Sequence, residues 1–262
     1  MVQKDTQKQV VLVTGASAGI GAAISQRFAR GGYRIVAVAR RQERLEQLAR
    51  QLSALTSVET LAADVTAKDT ADRAVDLAIK AFGRLDCLIN NAGWHPGHKP
   101  IDDFSVQDFR NLLDLNLVSI FAACKFALPH LRKVKGNIIN MSSLVGAMGQ
   151  LHATTYVATK GAITAFTKAL AVDEAEHEVR VNSVSPGNVY TPLWQEAIDA
   201  SADPAATRAE GEAAQLLGRM GTIEEAGRLC LYLAAEATFT TGVDHVLSGG
   251  AELGYGRKTR RE

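Results

Sequence analysis

The sequence predicts an α/β protein, a doubly wound parallel sheet of seven strands with helices on both faces. Two observations predict it. Short apolar runs at 9–14, 34–39, 58–64, 85–90, 137–142, 180–185 and 245–248 alternate with longer amphipathic stretches. Such alternation calls for right-handed crossovers between parallel strands. The first run also leads directly into Gly15-Ala-Ser-Ala-Gly19-Ile-Gly21 and then a helical pattern over 22–29, which reads strand, glycine turn, helix. No internal repeat or low-complexity linker interrupts the 262 residues. One domain spanning 1–262 is therefore expected, since a sheet covered on both faces commonly reaches this size.

Each element has its own reason. After the first run, glycines at 15, 19 and 21 allow a tight turn, a close backbone approach and close packing of helix on strand. The free N–H groups at the helix start attract an anion, and a pyrophosphate is the natural guest. The second run ends at Ala39 and is followed by Arg40 and Arg41. A carboxylate at the end of this strand would bind a ribose 2′-hydroxyl, whereas a guanidinium fork pairs with a phosphate. The expectation is NADP(H) in preference to NAD(H), with the alternative that Arg40, Arg41 and Arg44 only begin a solvated helix containing Glu43 and Glu46. The third and fourth runs end at Asp64 and at Asn90-Asn-Ala-Gly93, and a long helical run over 105–128 carries Asn116. The fifth leads into Ser143, and Tyr156 and Lys160 follow in a helical stretch. Positions i and i+4 share a helix face, so the Lys160 ammonium is expected to favour the Tyr156 phenolate and bring its pKa down from about 10. A tyrosine so tuned is a general base, although the pair taken alone reads equally well as a solvated helix pair. The sixth run leads into Pro186-Gly187, and the segment 188–221, rich in alanine and carrying Pro192 and Pro204, breaks the rhythm. It reads as a lid beside the ligand crevice or as a surface excursion.

Composition narrows the function classes. Hydrophobic residues make up 47% of the chain, charged residues 22%, and the net charge is +1, so neither nucleic acid nor an anionic membrane is an expected partner. Cys87, Cys124 and Cys230 stand apart in apolar stretches, which suits free thiols in a reducing, cytoplasmic setting rather than a disulfide framework. The polar start and the lack of about 18 consecutive apolar residues give no expectation of secretion or membrane spanning. His95 and His98 form His-x-x-His in a Pro/Gly loop without a clear third ligand, so no metal is expected.

Thr14-Gly-Ala-Ser-Ala-Gly-Ile-Gly21, Asn90-Asn-Ala-Gly93, Asn116, Ser143, Tyr156-x-x-x-Lys160 and Pro186-Gly187 occur in this order across nearly the whole chain. Together they resemble the short-chain dehydrogenase/reductase family. The resemblance implies a Rossmann-type fold and NAD(P)-dependent hydride transfer between a secondary alcohol or its ketone and a nicotinamide cofactor. It implies Tyr156 as general acid and base, and Ser143 as the hydrogen-bond partner of the substrate oxygen. Lys160 would bind the nicotinamide ribose and lower the tyrosine pKa, and Asn116 would hold a water that links Lys160 to solvent. Gly15, Ser17, Gly19, Ile20, Gly21, Asp64, Val65, Asn90, Ala92, Gly93, Pro186, Gly187, Val189 and Thr191 match cofactor-contacting positions of the family, together with Tyr156 and Lys160.

The stretch from about 83 to 256 is similar to members acting on 17β-hydroxysteroids and on sugars such as L-fucose, so both substrate classes stay open. Ala39 departs from those hydroxysteroid members, which carry an acidic residue there and use NAD. By family analogy Trp94, His95, Gln150, His152 and Trp194 line the substrate crevice with Ser143. The polar groups among them suit a hydroxyl-rich ligand, and a wide apolar pocket would suit a steroid. The tail 251–262 holds Tyr255 and the basic residues Arg257, Lys258, Arg260 and Arg261. It is a solvated terminus or, as the resemblance implies, an arm that brings Tyr255 to a neighbouring subunit's site in a homotetramer. The alternative of a different class is a catalytically silent NADP(H)-binding sensor, since a fold alone does not establish an activity.

Overall fold

The structure, a computed structural model, describes residues 9–253. In chain order the elements are β1 (Val10–Thr14), α1 (Gly19–Arg30), β2 (Arg34–Ala39), α2 (Gln42–Leu52), β3 (Val58–Ala62), α3 (Thr70–Phe82), β4 (Cys87–Asn90), α4 (Val106–Leu113), α5 (Ser119–Val134), β5 (Asn137–Met141), α6 (Val145–Met148), α7 (Thr154–Asp173) and β6 (Arg180–Pro186). They continue with β7 (Val189–Tyr190), α8 (Pro192–Asp199), α9 (Pro204–Ala213), β8 (Gly221–Thr222), α10 (Ile223–Ala235) and β9 (Asp244–Leu247). Seven strands form one parallel sheet in the order β3-β2-β1-β4-β5-β6-β9. This is the expected Rossmann-type sheet, and each strand ends within two residues of its apolar run.

Alternate residues of each strand serve opposite layers. Val11 and Val13 of β1 pack in one core with Ile24 and Phe28 of α1, Leu45 of α2 and Leu233 of α10. Val10 and Leu12 pack in the other with Val75 of α3, Ile120 and Leu131 of α5 and Ile163 of α7. Both faces of the five inner strands, β1, β2, β4, β5 and β6, are dry, which explains why they read as continuous apolar runs. The chain leaves β1 toward β2 on one side and returns to β4 on the other. A crevice therefore opens between the C-terminal ends of β1 and β4, the place where doubly wound sheets take ligands.

The run expected as one helix over 105–128 is more complex. Ser105 and Asp108 form a capping box that starts α4, a π-helical turn follows over Asp114–Val118, and α5 continues to Val134. A π turn inserts an extra residue into the helix, and here Asn116 lies within it, fully buried. The stretch Val106–Val134 is long and apolar enough to cross a membrane by length and composition. Its Ile120, Cys124 and Leu131 belong instead to the same core cluster as Leu88 and Ile138 of the sheet.

Segment 188–221 consists of α8 and α9, joined at their base by a two-stranded ribbon that pairs Val189 with Gly221 and Tyr190 with Thr222. Thr191 and Asp203 cap the two helices through their side chains, and Pro192 and Pro204 occupy first-turn positions. Proline is well placed there, because the N–H that it lacks has no intrahelical partner at a helix start.

Candidate active site

A cleft of about 780 Å³ lies over the C-terminal ends of β1 to β4. Gly15, Ser17, Gly19, Ile20 and Gly21 line it from the first turn, Ala39, Arg40, Arg41 and Arg44 from beyond β2, and Asp64 and Val65 from beyond β3. Asn91, Ala92, Gly93 and Trp94 close it after β4, and Thr191, Pro192, Leu193 and Glu196 roof it from the start of α8. The glycine turn has a steric cause. Gly15 has φ +67°, and a Cβ on Gly21 would stand 2.3 Å from the Gly15 carbonyl oxygen, far inside contact distance. Asn91 reinforces the turn by donating to the carbonyls of Thr14 (3.0 Å) and Gly15 (3.3 Å). The Thr14 hydroxyl accepts from the N–H groups of Asn91 and Ala92, binding β1 to the loop after β4.

The start of α1 is open to an anion. Its capping position is Ala18, which has no side-chain hydrogen bond, and no acidic residue lies in the first turn. At the far end of the cleft Arg41 donates to the Ser17 hydroxyl (3.3 Å). The Asp64 carboxylate accepts from the Thr66 N–H (2.9 Å) and hydroxyl (2.8 Å). The Thr66 backbone bond does most to hold its pKa below the usual carboxylate range, with the Arg40 charge helping.

The groups expected to move a proton, Ser143, Tyr156 and Lys160, do not line this cleft but stand behind it, where a Cβ on the lining residue Gly93 would come within 3.5 Å of Lys160 Nζ. Ser143 follows β5, and Tyr156 lies in the first turns of α7 with Lys160 one turn on. A Cβ on Gly146 would stand 2.8 Å from backbone atoms of Lys160 and Gly161. That close approach of α6 to α7 lets the Ser143 loop rest on the Tyr156–Lys160 helix. Tyr156 is hydrogen-bonded to Ser143. The Lys160 ammonium lies 5.6 Å from the centroid of the tyrosine ring and donates to the Met141 carbonyl (2.8 Å). Asn116 accepts from the Trp94 N–H (2.9 Å) and donates to the Trp94 carbonyl and the Thr159 hydroxyl, both at 3.0 Å.

The electrostatics differ from the expectation of a tyrosine pulled down by its lysine. Burial pushes the Tyr156 pKa up, and the Ser143 hydrogen bond draws it only part of the way back. Burial likewise lowers Lys160 from 10.5 to about 8. The protein alone thus holds both groups toward their neutral forms, because a dry site disfavours either charge.

The structure does not bring every expected residue to the cleft. The Asn90 side chain points into the sheet, donating to Asn140 Oδ1 (2.8 Å), and Asn91 faces the glycine turn in its place. Pro186 gives its carbonyl to the Leu144 N–H (3.0 Å), Gly187 packs on Ser248, and Val189 is buried in the ribbon. Trp194 turns away: its ring lies where a Cβ on Gly211 of α9 would meet it at 3.1 Å, so it holds α8 to α9. His95 sits with its ring centroid 4.4 Å from that of Tyr156 and its Nε2 3.4 Å from Gln150 Oε1. His152 is exposed at φ 57°, and its carbonyl accepts from the Lys99 N–H (2.7 Å). Tyr255 lies outside the described residues. Arg44, Asn91, Leu193 and Glu196 were not expected to line the cleft; the spacing Arg40-Arg41-x-x-Arg44, one helical turn, was the available signal for Arg44.

A switch-point crevice with a glycine turn, and a buried tyrosine–lysine pair beside its Gly93 wall, defines a nucleotide-dependent dehydrogenase. The short chain dehydrogenase family model matches residues 9–202, and the chain belongs to that family. It is an oxidoreductase that acts on alcohols with a nicotinamide cofactor and a small-molecule substrate. Among its relatives, L-fucose dehydrogenase of Bos taurus is 50% identical over 250 residues, 95% of this chain and 92% of that one. L-sorbose reductase from Gluconobacter frateurii, solved with NADPH and L-sorbose, superposes with a TM-score of 0.88 at 28% identity, covering 93% of this chain and 96% of that one. NAD+-bound xylitol dehydrogenase superposes with a TM-score of 0.88 at 29% identity, covering 94% and 100%.

Proposed function

We propose that this enzyme oxidises a secondary hydroxyl of a pyranose sugar such as L-fucose, reversibly and with NADP(H) preferred. The observation that carries the reading is Tyr156, bonded to Ser143 and flanked by Lys160, in a chain half identical to an L-fucose dehydrogenase along nearly its whole length.

The cleft fits the cofactor by its own chemistry. Gly15, Ser17, Gly19 and Ile20 with the uncapped α1 start would hold the pyrophosphate. Asp64 and Val65 would flank the adenine, and Ala92, Gly93 and Thr191 would hold the nicotinamide end. Arg40 and Arg41, with Arg44, would take a 2′-phosphate where Ala39 offers no carboxylate to repel it. When bound, the nicotinamide supplies the two-electron acceptor. Ser143 holds the substrate oxygen, and Tyr156 takes the hydroxyl proton or returns it in the reverse direction. Lys160 contributes a cation beside the phenol below its pKa of about 8, and its bond to Met141 fixes its reach.

Polar groups on the substrate wall favour a sugar over a steroid. The His95 Nδ1 accepts from the Gly97 N–H (3.0 Å), so Nε2 carries the proton and donates to Gln150 Oε1. That leaves the Gln150 amide hydrogens for a substrate hydroxyl. The start of α8 roofs the cleft, which supports the reading of 188–221 as a lid. A cytoplasmic homotetramer is the assembly we infer, supported by three buried free thiols and by apolar exposure at Val118 and Phe121 of the α4–α5 stretch and Val246 of the edge strand.

The test is cofactor reduction by the purified protein with L-fucose, D-arabinose, L-galactose and estradiol, each with NADP and with NAD. Sugar turnover that is faster with NADP, and lost in Tyr156→Phe with cofactor binding retained, supports the reading. Steroid turnover with NAD, or no loss in Tyr156→Phe, contradicts it.

A further inference from the structure

Beneath Tyr156 the hydrogen bonds run in one direction. Thr159, fully buried on α7, donates its hydroxyl proton to the Tyr156 carbonyl (2.8 Å) and accepts from Asn116 Nδ2 (3.0 Å). A threonine hydroxyl has one proton. Once that proton is given to the carbonyl, the oxygen can only accept, and the Asn116 amide must turn its NH₂ end toward Thr159. The second Nδ2 hydrogen then goes to the Trp94 carbonyl (3.0 Å), and Oδ1 accepts the Trp94 N–H (2.9 Å). A reversed amide would set its NH₂ against the Trp94 N–H, donor against donor.

We propose that Thr159 is a positioning residue for the reaction: by orienting the Asn116 amide it holds the Trp94–His95 backbone against Tyr156 and Lys160. Three features meet at this point. Gly93, beside Trp94, is close enough that a Cβ on it would stand 3.3 Å from Asn116 Oδ1 and 3.5 Å from Lys160 Nζ. His95, carried by the same backbone, lays its ring 4.4 Å from the Tyr156 ring. Asn116 itself stands in the π turn, where the regular helical ladder gives its backbone less support. The inference rests on the reading of Tyr156 as the proton acceptor.

The helix supplies its own control. Thr167, two turns further along α7 and equally buried, accepts from Asn140 Nδ2 (2.9 Å) with no connection to Tyr156. Thr159→Val and Thr167→Val therefore remove the same kind of bond at similar depth. Both variants are expected to lose thermal stability. Only Thr159→Val should lose kcat, about tenfold, the fold-change that one unsatisfied buried donor corresponds to, with unchanged cofactor affinity. Thr159→Ser should restore most of it, and Thr159→Ala carries the same comparison if the valine variant does not fold. Wild-type kcat in Thr159→Val, or an equal kcat loss in Thr167→Val, overturns the proposal. If those results come with an inactive Tyr156→Phe, only the role of Thr159 fails. If Tyr156→Phe stays active, or the unaltered protein turns over no alcohol, the reading of the site fails and the inference with it.

Discussion

Lys160 should destabilise the cofactor-free protein, and replacing it with methionine should reveal by how much. Its side chain is 5% exposed, its ammonium donates to a carbonyl rather than to a carboxylate, and burial lowers its pKa from 10.5 to about 8. The sign follows from proton counting. Between about pH 8 and 10.5 the unfolded chain keeps this proton and the folded chain does not, so stability rises with pH through that window and the cost is fully present below it. At 1.36 kcal/mol for each pH unit, the interval corresponds to about 3 kcal/mol. Lys160→Met removes the charge while keeping an unbranched side chain of similar length. The variant should be more stable than the parent below about pH 8, by up to about 3 kcal/mol, and the gap should close as the pH rises. Tyr156 and the three cysteines, all pushed up by burial, titrate in both proteins and cancel in the difference. Denaturant unfolding of the two proteins across this pH range, without cofactor, gives the result. Parallel stability curves would show that the lysine pays no burial cost. The gain should come with loss of turnover, since a site tuned for chemistry is commonly bought at the expense of stability.

Other perturbations test separate parts of the account. Arg41→Ala should raise the KM for NADP about tenfold and leave that for NAD nearly unchanged, because it removes a guanidinium fork from a phosphate but not from a hydroxyl; equal effects on both cofactors would mean that Arg41 only packs on Ser17. Ser143→Ala removes the one bond that lowers the Tyr156 pKa, so the rising limb of the pH–rate profile should move to higher pH as kcat falls, and a limb that moves down would contradict the assignment. Gly21→Ala places a methyl 2.3 Å from the Gly15 carbonyl and should abolish cofactor binding, seen as loss of thermal protection by NADP; retained protection would show that the turn can relax.

The five inner strands were legible because each is buried on both faces, so apolar runs and strands coincide, whereas the edge strands β3 and β9 are only partly buried. The glycine turn was legible because sterics leave Gly21 no substitute. Tyr156 and Lys160 announced themselves through helical spacing, which also places them correctly. The π turn at Asn116 was not legible, since Leu112, Leu113, Leu115, Leu117 and Val118 crowd around it and hide the shift in helical phase that one inserted residue makes. Nor was the choice between Asn90 and Asn91, adjacent and identical in type, one serving the interior and the other the turn. Trp194 looked like a ligand-facing aromatic because a sequence gives no direction, and its partner Gly211 lies seventeen residues away on α9. The charge state of Tyr156 was misjudged for a related reason: spacing shows that a lysine is near, and burial, a property of the whole fold, decides which form prevails.

The central claim is that Tyr156 moves a sugar proton in an NADP-preferring dehydrogenase. The most direct test compares the unaltered protein with Tyr156→Phe, following nicotinamide reduction by L-fucose with NADP and with NAD while measuring cofactor affinity in parallel. The account predicts turnover that is faster with NADP, is abolished in the phenylalanine variant, and is lost without loss of cofactor affinity. Undiminished turnover in Tyr156→Phe, or no turnover of any sugar by the unaltered protein, would contradict it.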